Sequence, residues 1–219
     1  MGWETQHIDI DSAFLNGKLD QQKFICIPQG FAGDNKTHVS KLNKSLYGLA
    51  IVPMCWFKTF TTLLKNNDFR YSPREPCLFV KNVNKNKILI LIYVDDILIS
   101  SDSPKLIEST VQLLETNFKL KKLGFPTKFL GITIERTTNH SILLHQQDQV
   151  ENILNEFEYD KDFHPTTPMR EFKNIQIPST EEITIYPYRT IIGKLLFLAN
   201  SVCSRLSSTP SNYSSKDTS

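Results

Sequence analysis

A tetrapeptide, Tyr93-Val94-Asp95-Asp96, interrupts the most apolar stretch of this chain, with Ile88-Leu89-Ile90-Leu91-Ile92 before it and Ile97-Leu98-Ile99 after it. The flanking runs predict two strands, and so a hairpin with two adjacent carboxylates at its tip. Desolvating like charges side by side costs several kcal/mol, on the order of a whole buried ion pair, unless something positive neutralises them. A divalent metal ion, which prefers oxygen ligands, is the natural candidate. Adjacent strand residues face opposite ways, so only one of the pair can be fully buried and at least one reaches solvent or metal.

A third carboxylate stands near the start. In His7-Ile8-Asp9-Ile10-Asp11, alternation places Asp9 and Asp11 on one face and Ile8 and Ile10 on the other. If this strand neighbours the hairpin, Asp9 approaches its tip. Two Mg²⁺ ions about 3.5–4 Å apart, held by carboxylates from separate strands, activate an attacking hydroxyl and stabilise a leaving pyrophosphate. Such phosphoryl transfer runs mainly on positioning and charge neutralisation, so it needs no Ser-His-Asp or Cys-His arrangement. An isolated Asp-Asp also reads as a solvated turn; the Tyr-Val before it and the apolar strands on both sides favour the metal site.

The chain has 219 residues with 40% hydrophobic content, enough for one domain of ordinary size or one domain with a small appendage. Lys and Arg number 25 against 23 Asp and Glu, so a polyanion would have to be held by a local patch and not by net charge. Cys26, Cys55, Cys77 and Cys203 are scattered, with no CxxC pair and no His at zinc spacing, which fits buried thiols in a reducing, intracellular compartment. No secretory signal is evident, and no apolar run approaches the roughly 20 residues that cross a bilayer, so the chain reads as soluble, with no membrane partner.

Further strands are predicted at His7–Ile10, Lys23–Ile27, Leu78–Val83, Ile88–Val94, Ile97–Ser100, Phe129–Glu135 and Ile142–Leu144, with turns at Asn84-Lys85-Asn86 and Thr138-Asn139. Helical spacing marks Trp56, Phe57, Phe60, Leu63 and Leu64, then Ile107, Val111, Leu114 and Phe118, the second with Ser103 placed to cap it and Pro104 in its first position. Two more helices are predicted at Gln147–Phe157 and Pro187–Leu198. Lys161–Glu182, with three prolines, reads as an extended connector, and residues 201–219 as a disordered polar tail. Lys119, Lys121 and Lys122 read as a basic cluster ending the second helix, open to a phosphate backbone or simply solvated. Lys41 and Lys44 carry the same two readings.

These motifs together resemble the reverse transcriptases of copia-type long-terminal-repeat retrotransposons. The resemblance rests on Asp9-Ile10-Asp11-Ser12-Ala13-Phe14-Leu15-Asn16-Gly17, then Gln29-Gly30-Phe31, then Lys41-Leu42-Asn43-Lys44-Ser45-Leu46-Tyr47-Gly48-Leu49. It continues through Tyr93–Asp96, Phe129-Leu130-Gly131-Ile132, Tyr188-Arg189 and Gly193-Lys194-Leu195-Leu196, in family order from about residue 2 to residue 200. It implies an α+β fold: a polymerase palm, a ferredoxin-like antiparallel sheet with helices on one face, plus a partial helical thumb, the fingers being largely missing. The palm with remnant fingers would span 1–135 and the thumb-like helices 136–200. Asp9, Asp95 and Asp96 would hold two Mg²⁺ ions, or Mn²⁺. Phe14 would be the gate beneath the sugar of the incoming dNTP, although it also reads as a core aromatic beside a turn. Tyr47 and Gly48 would line the nucleotide and template site. Phe129, Leu130 and Gly131 would grip the primer end, or form an ordinary edge strand. Partners would be an RNA template and a DNA primer, in the cytoplasm or, as in active relatives, a virus-like particle, without the other parts of the element's polyprotein.

The sequence also departs from that family. Where Leu-Tyr-Gly-Leu is usually followed by Lys-Gln, a small residue, Pro and Arg, this chain has Ala50-Ile51-Val52-Pro53-Met54. By the resemblance, a basic fingers segment would stand before Gly2-Trp3-Glu4 and is expected to be missing, and Thr-Arg-Pro-Asp would follow Leu198-Ala199-Asn200 where this chain has Ser201-Val202-Cys203-Ser204. An impaired polymerase fragment is therefore expected, with a non-catalytic nucleic-acid-binding remnant or a pseudogene product as the alternatives.

Overall fold

The structure, a computed structural model, describes residues 2–27, 30–31, 38–138, 141–157 and 187–201. The chain forms two compact units, Met1–Pro126 and Thr127–Ser219. The predicted connector and residues 202–219, with Cys203, lie outside the described residues, as does Asn139 of the second predicted turn.

The first unit is built on a six-stranded antiparallel sheet. Its strands are β1 (Glu4–Ile10), β4 (Arg70–Tyr71), β5 (Leu78–Val83), β6 (Asn86–Tyr93), β7 (Asp96–Ser101) and β8 (Leu120–Gly124), in the order β4-β5-β6-β7-β1-β8. A separate exposed ladder pairs β2 (Phe24–Cys26) with β3 (Val39–Lys41). Helices α1 (Val52–Asn66) and α2 (Pro104–Asn117) and a short 3-10 turn at Ala13–Asn16 complete the unit.

Register explains why the central strands are apolar on both sides. Ile92, Ile97 and Ile8 lie in one row across β6, β7 and β1, and Phe79, Ile90 and Ile99 in the next row on that face. All six are buried, and they share one core with Trp56, Phe60 and Leu64 of α1 and Ile107, Val111 and Leu114 of α2. Both helices thus cover the same face. Each fully buried side chain of this size contributes roughly 1.5–3 kcal/mol. The residues between, Leu89, Leu91 and Leu98, turn to the reverse face and are half-buried.

Several expectations need correction. Lys119, Lys121 and Lys122 do not end a helix. Helix α2 stops at Asn117, and the lysines lead into and occupy β8, which pairs with β1. The order Leu120, Lys121, Lys122, Leu123 does not alternate with period two, so the strand was hidden. The single strand expected over Phe129–Glu135 is two, because Leu130 (φ 50°) and Gly131 (φ 79°) make a two-residue turn with both central residues left-handed, the I′ pattern. Ser103 does stand before Pro104, but its hydroxyl caps nothing; its carbonyl accepts the amides of Leu106 and Ile107. The thiols are not uniformly buried: Cys55 is, Cys77 is half-buried, and Cys26 is exposed on the β2–β3 ladder.

In the second unit, β9 (Lys128–Phe129), β10 (Ile132–Arg136) and β11 (Ile142–His145) form a sheet of order β11-β10-β9. Helices α3 (Gln147–Glu156) and α4 (Tyr188–Ser201) bury Ile153 and Leu198 and are joined by an ion pair between Lys194 and Glu156. Between them lies a cavity of about 320 Å³ lined by Gln149, Ile153, Arg189, Phe197 and Leu198.

Among the described glycines of the first unit, Gly17 leaves the least room for a side chain. A Cβ there would lie 2.6 Å from Ser45 Oγ and 2.9 Å from the Trp56 backbone nitrogen. Its carbonyl accepts both the amide (3.0 Å) and the hydroxyl (3.2 Å) of buried Ser45. Gly17→Ala is therefore expected to lower stability by about 1–3 kcal/mol, the range for overpacking a close contact. Urea unfolding of the variant measures it, and an unchanged midpoint would contradict the packing described.

Candidate catalytic site

Two antiparallel pairings bring the acidic motifs together. Asp9 on β1 lies directly opposite Asp96 on β7, and on its other side directly opposite Lys121 on β8. Tyr93, opposite Asp96, extends the row. Directly opposed residues of antiparallel strands share a face, so Asp96, Asp9 and Lys121 form one line of charge on the face away from the helices. Like charges directly opposite one another are destabilising. Here the line is flanked by an imidazole and an ammonium: His7 Nε2 lies 3.0 Å from Asp96 Oδ1, and Lys121 Nζ lies 3.9 Å from Asp9 Oδ2.

Asp11, just past the end of β1, is bound by two lysines. Lys121 Nζ is 3.2 Å from its Oδ1 and Lys119 Nζ 3.2 Å from its Oδ2. The Lys121 ammonium first, then Lys119, hold the Asp11 carboxyl below its ordinary 3.8, with partial desolvation opposing. Lys122 faces the other way and pairs with Glu115 of α2 at 2.8 Å. The basic cluster is thus engaged with carboxylates on both faces of the sheet edge.

The hairpin tip is held from two directions. Val94 and Asp95 form the two-residue turn between Tyr93 and Asp96, with Val94 at φ 58°. A β-branched residue in the left-handed region is an outlier that costs about 1–3 kcal/mol and persists only when its surroundings enforce it. The buried Trp56 indole donates to the Val94 carbonyl at 2.7 Å, and the Ile10 amide donates to the Asp95 carbonyl at 2.9 Å. The Asp95 side chain is exposed, whereas Asp9 and Asp96 are half-buried. All three donors are hard carboxylate oxygens, the chemistry that suits Mg²⁺ or Mn²⁺. Among the described residues, no three His, Cys, Asp or Glu side chains converge on a common point.

Phe14 and Tyr47 meet edge to face, ring centroids 5.8 Å apart at 73°. Phe14 is half-buried against the core, and Tyr47 is 60% exposed. Gly48 follows at φ 93° with open space where a Cβ would stand. Phe129, Leu130 and Gly131 belong to the second unit, where Phe129 is buried and Leu130 is exposed at the turn.

Two participants escaped the sequence reading. His7 lies on the Asp9 face, as alternation alone would have placed it, but a lone histidine gave no reason to single it out. Trp56 looked like a core residue, and it is one; nothing in the sequence marks its indole as a donor to a turn 38 residues away.

Residues 1–171 match the family model described as "Reverse transcriptase (RNA-dependent DNA polymerase)". A transposon Ty5-1 protein of Saccharomyces cerevisiae is 33% identical over 197 residues, covering 88% of this chain and 63% of that protein. A retrovirus-related Pol polyprotein from transposon TNT 1-94 of Nicotiana tabacum is 32% identical over 212 residues, 92% of this chain and 16% of the polyprotein. One from transposon RE1 of Arabidopsis thaliana is 32% identical over 199 residues, 90% of this chain and 14% of the polyprotein. The chain therefore spans less than two thirds of each of these relatives.

Two outcomes follow from the geometry. Trp56→Phe removes the donor to Val94 and should cost about 1–2 kcal/mol. Amide exchange at Val94, Asp95 and Asp96 should accelerate, while Ile90 in mid-strand stays protected; equal acceleration at both places would show that the indole does not pin the tip. Because the folded-state value of Asp11 is the lower one, its ionised form adds stability above pH 3.8, and that contribution fades as pH falls through the folded value. The difference in urea midpoint between wild type and Asp11→Asn should accordingly close as the pH is taken below about 4; a gap constant from pH 7 to 3 would contradict it.

Proposed function

The chain belongs to the reverse transcriptase (RNA-dependent DNA polymerase) family of retrotransposon Pol polyproteins, and on that premise we propose that it is a copia-type polymerase palm with part of a helical thumb, built for RNA-directed DNA synthesis. The observation that carries this reading is the β1–β7 register, which sets Asp9 opposite Asp96 and ties the Asp95 backbone to Ile10. Carboxylates distant in sequence are thereby placed at one end of the sheet.

Asp9, Asp95 and Asp96 are the residues that would hold two Mg²⁺ or Mn²⁺ ions, and an all-carboxylate donor set fits such ions. When bound, the pair supplies activation of the primer 3′-hydroxyl and stabilisation of the departing pyrophosphate. The protein's own part is positional. Trp56 and Ile10 fix the hairpin tip, and the antiparallel pairing of β1 with β7 fixes the spacing of the carboxylate-bearing strands. Phe14, braced by Tyr47, is suited to exclude a 2′-hydroxyl beneath the incoming dNTP, with Gly48 leaving the backbone open beside them. The template and primer backbones would run along the β8 edge on the side of Lys119 and Lys121, while Lys122 is turned to the helix face beside Glu115. In the second unit, the exposed Leu130 turn, with Phe129 and Gly131, would be the segment for a primer end. No helix among the described residues is long and apolar enough to cross a membrane.

One observation favours a second reading, a nucleic-acid-binding remnant with little or no polymerisation. Met54, 61% exposed in the first turn of α1, stands where the family carries an arginine, and Ala50 and Ile51 stand where it carries Lys-Gln. Each lost charge-assisted hydrogen bond to a triphosphate or template is worth about 1.5–3 kcal/mol, so together they lower the rate by orders of magnitude.

Primer extension on an RNA template with Mg²⁺ separates the two. The purified, folded chain is expected to extend weakly, and Asp95→Asn to abolish extension. A folded chain that binds an RNA–DNA duplex in a salt-dependent way, yet extends no template, would establish the remnant instead.

A further inference from the structure

We propose that Lys121 is a resident counter-cation of the catalytic carboxylates, anchored by Asp11 beside Asp9, and that it sets how tightly a divalent ion binds there. The proposal rests on Asp9 being a metal ligand, as put forward above, and goes beyond it by assigning roles to two residues outside the carboxylate triad. Asp9 has two cross-strand neighbours: one, Asp96, repels it, and the other, Lys121, attracts it.

The distances divide the labour. Lys121 Nζ is within hydrogen-bonding range of Asp11 Oδ1 at 3.2 Å and only within coulombic range of Asp9 Oδ2 at 3.9 Å. Asp11 has its second oxygen occupied by Lys119. With both oxygens engaged by ammonium groups, Asp11 acts as an anchor and not as a ligand. Asp9, whose oxygen is approached but not hydrogen-bonded by Lys121, keeps its lone pairs for a metal. The carboxylates are also the better shielded partners: the side chains of Asp11 and Asp9 are 21% and 32% exposed, against 65% for Lys121. A cation on β8 beside Asp9 therefore offsets part of its repulsion with Asp96 before any ion arrives.

An ion entering beside Asp9 meets that same positive charge. Lys121 thus stabilises the metal-free hairpin and weakens metal binding at once, as a positioning residue whose charge competes with the ion. Lys122 provides the internal control: it is the next residue and carries the same charge, but it points to the opposite face and pairs with Glu115.

The test is Mn²⁺ binding to the full chain, followed by electron paramagnetic resonance of the free ion, with no nucleic acid present. Lys121→Met, which keeps most of the apolar stem, is expected to bind Mn²⁺ about three- to tenfold more tightly than wild type, the effect of removing one charge roughly 6–12 Å from a divalent ion under screening close to that of bulk water, as suits a side chain that is 65% exposed. Lys121→Arg should restore wild-type affinity, and Lys122→Met should leave it unchanged. Equal tightening by Lys121→Met and Lys122→Met would mean a general effect of net charge and would overturn the proposal, as would no change with Lys121→Met. Asp9→Asn separates this failure from that of the underlying site: if it leaves Mn²⁺ binding intact, Asp9 is not a ligand and both ideas fall. If Asp9→Asn abolishes binding while Lys121→Met matches wild type, only the role of Lys121 falls.

Discussion

The first unit depends on β1 lying between β7 and β8. From that central position one face of the strand supplies Ile8 and Ile10 to the core, and the other supplies His7 and Asp9 to the charged row. The two roles are inseparable, because side chains alternate with period two. A slip of one residue would bury the carboxylates under α1 and α2 and expose the isoleucines. The rows Ile92–Ile97–Ile8 and Phe79–Ile90–Ile99 therefore fix the site geometry as firmly as they fix the core. The hydrophobic effect sets the register, and the register sets which charges meet.

Repulsion between Asp9 and Asp96 is the price of that arrangement, and the fold meets it locally. His7 touches one carboxylate, Lys121 stands beside the other, and Asp11 with Lys119 keeps Lys121 in place. Strain is concentrated in the same place. Val94 is held left-handed by the Trp56 indole, and the Trp56 backbone leaves room only for a hydrogen at Gly17, whose carbonyl is bonded by Ser45. The turn following β1 and the tip of the β6–β7 hairpin are thus linked through the first turns of α1. Backbone outliers of this kind mark places where geometry has been kept in spite of its cost.

The altered stretch Ala50–Met54 sits at the start of that same helix. Val52 is buried and Pro53 lies in the first turn, where a missing amide hydrogen is harmless, so the substituted residues still begin α1 and still deliver Trp56 to the hairpin. Neutral side chains there leave the support of the hairpin tip standing.

Much of this was legible in the sequence. The hairpin around Asp95-Asp96, the alternation that put Asp9 and Asp11 on one face, both main helices and the family itself follow from local periodicity and contiguous motifs. What remained hidden was whatever depends on a partner far along the chain. Strand β8 has a mixed pattern, since only its pairing with β1 tells Lys121 from Lys122; the turn at Leu130-Gly131 splits a run that looked continuous; and Trp56 looks like any core aromatic until the hairpin folds beneath it. Sequence determined which residues carry charge and which must be buried, because those are properties of single side chains and their spacing. Only the tertiary structure decided which charges face one another, because antiparallel register is set by the packing of the opposite face.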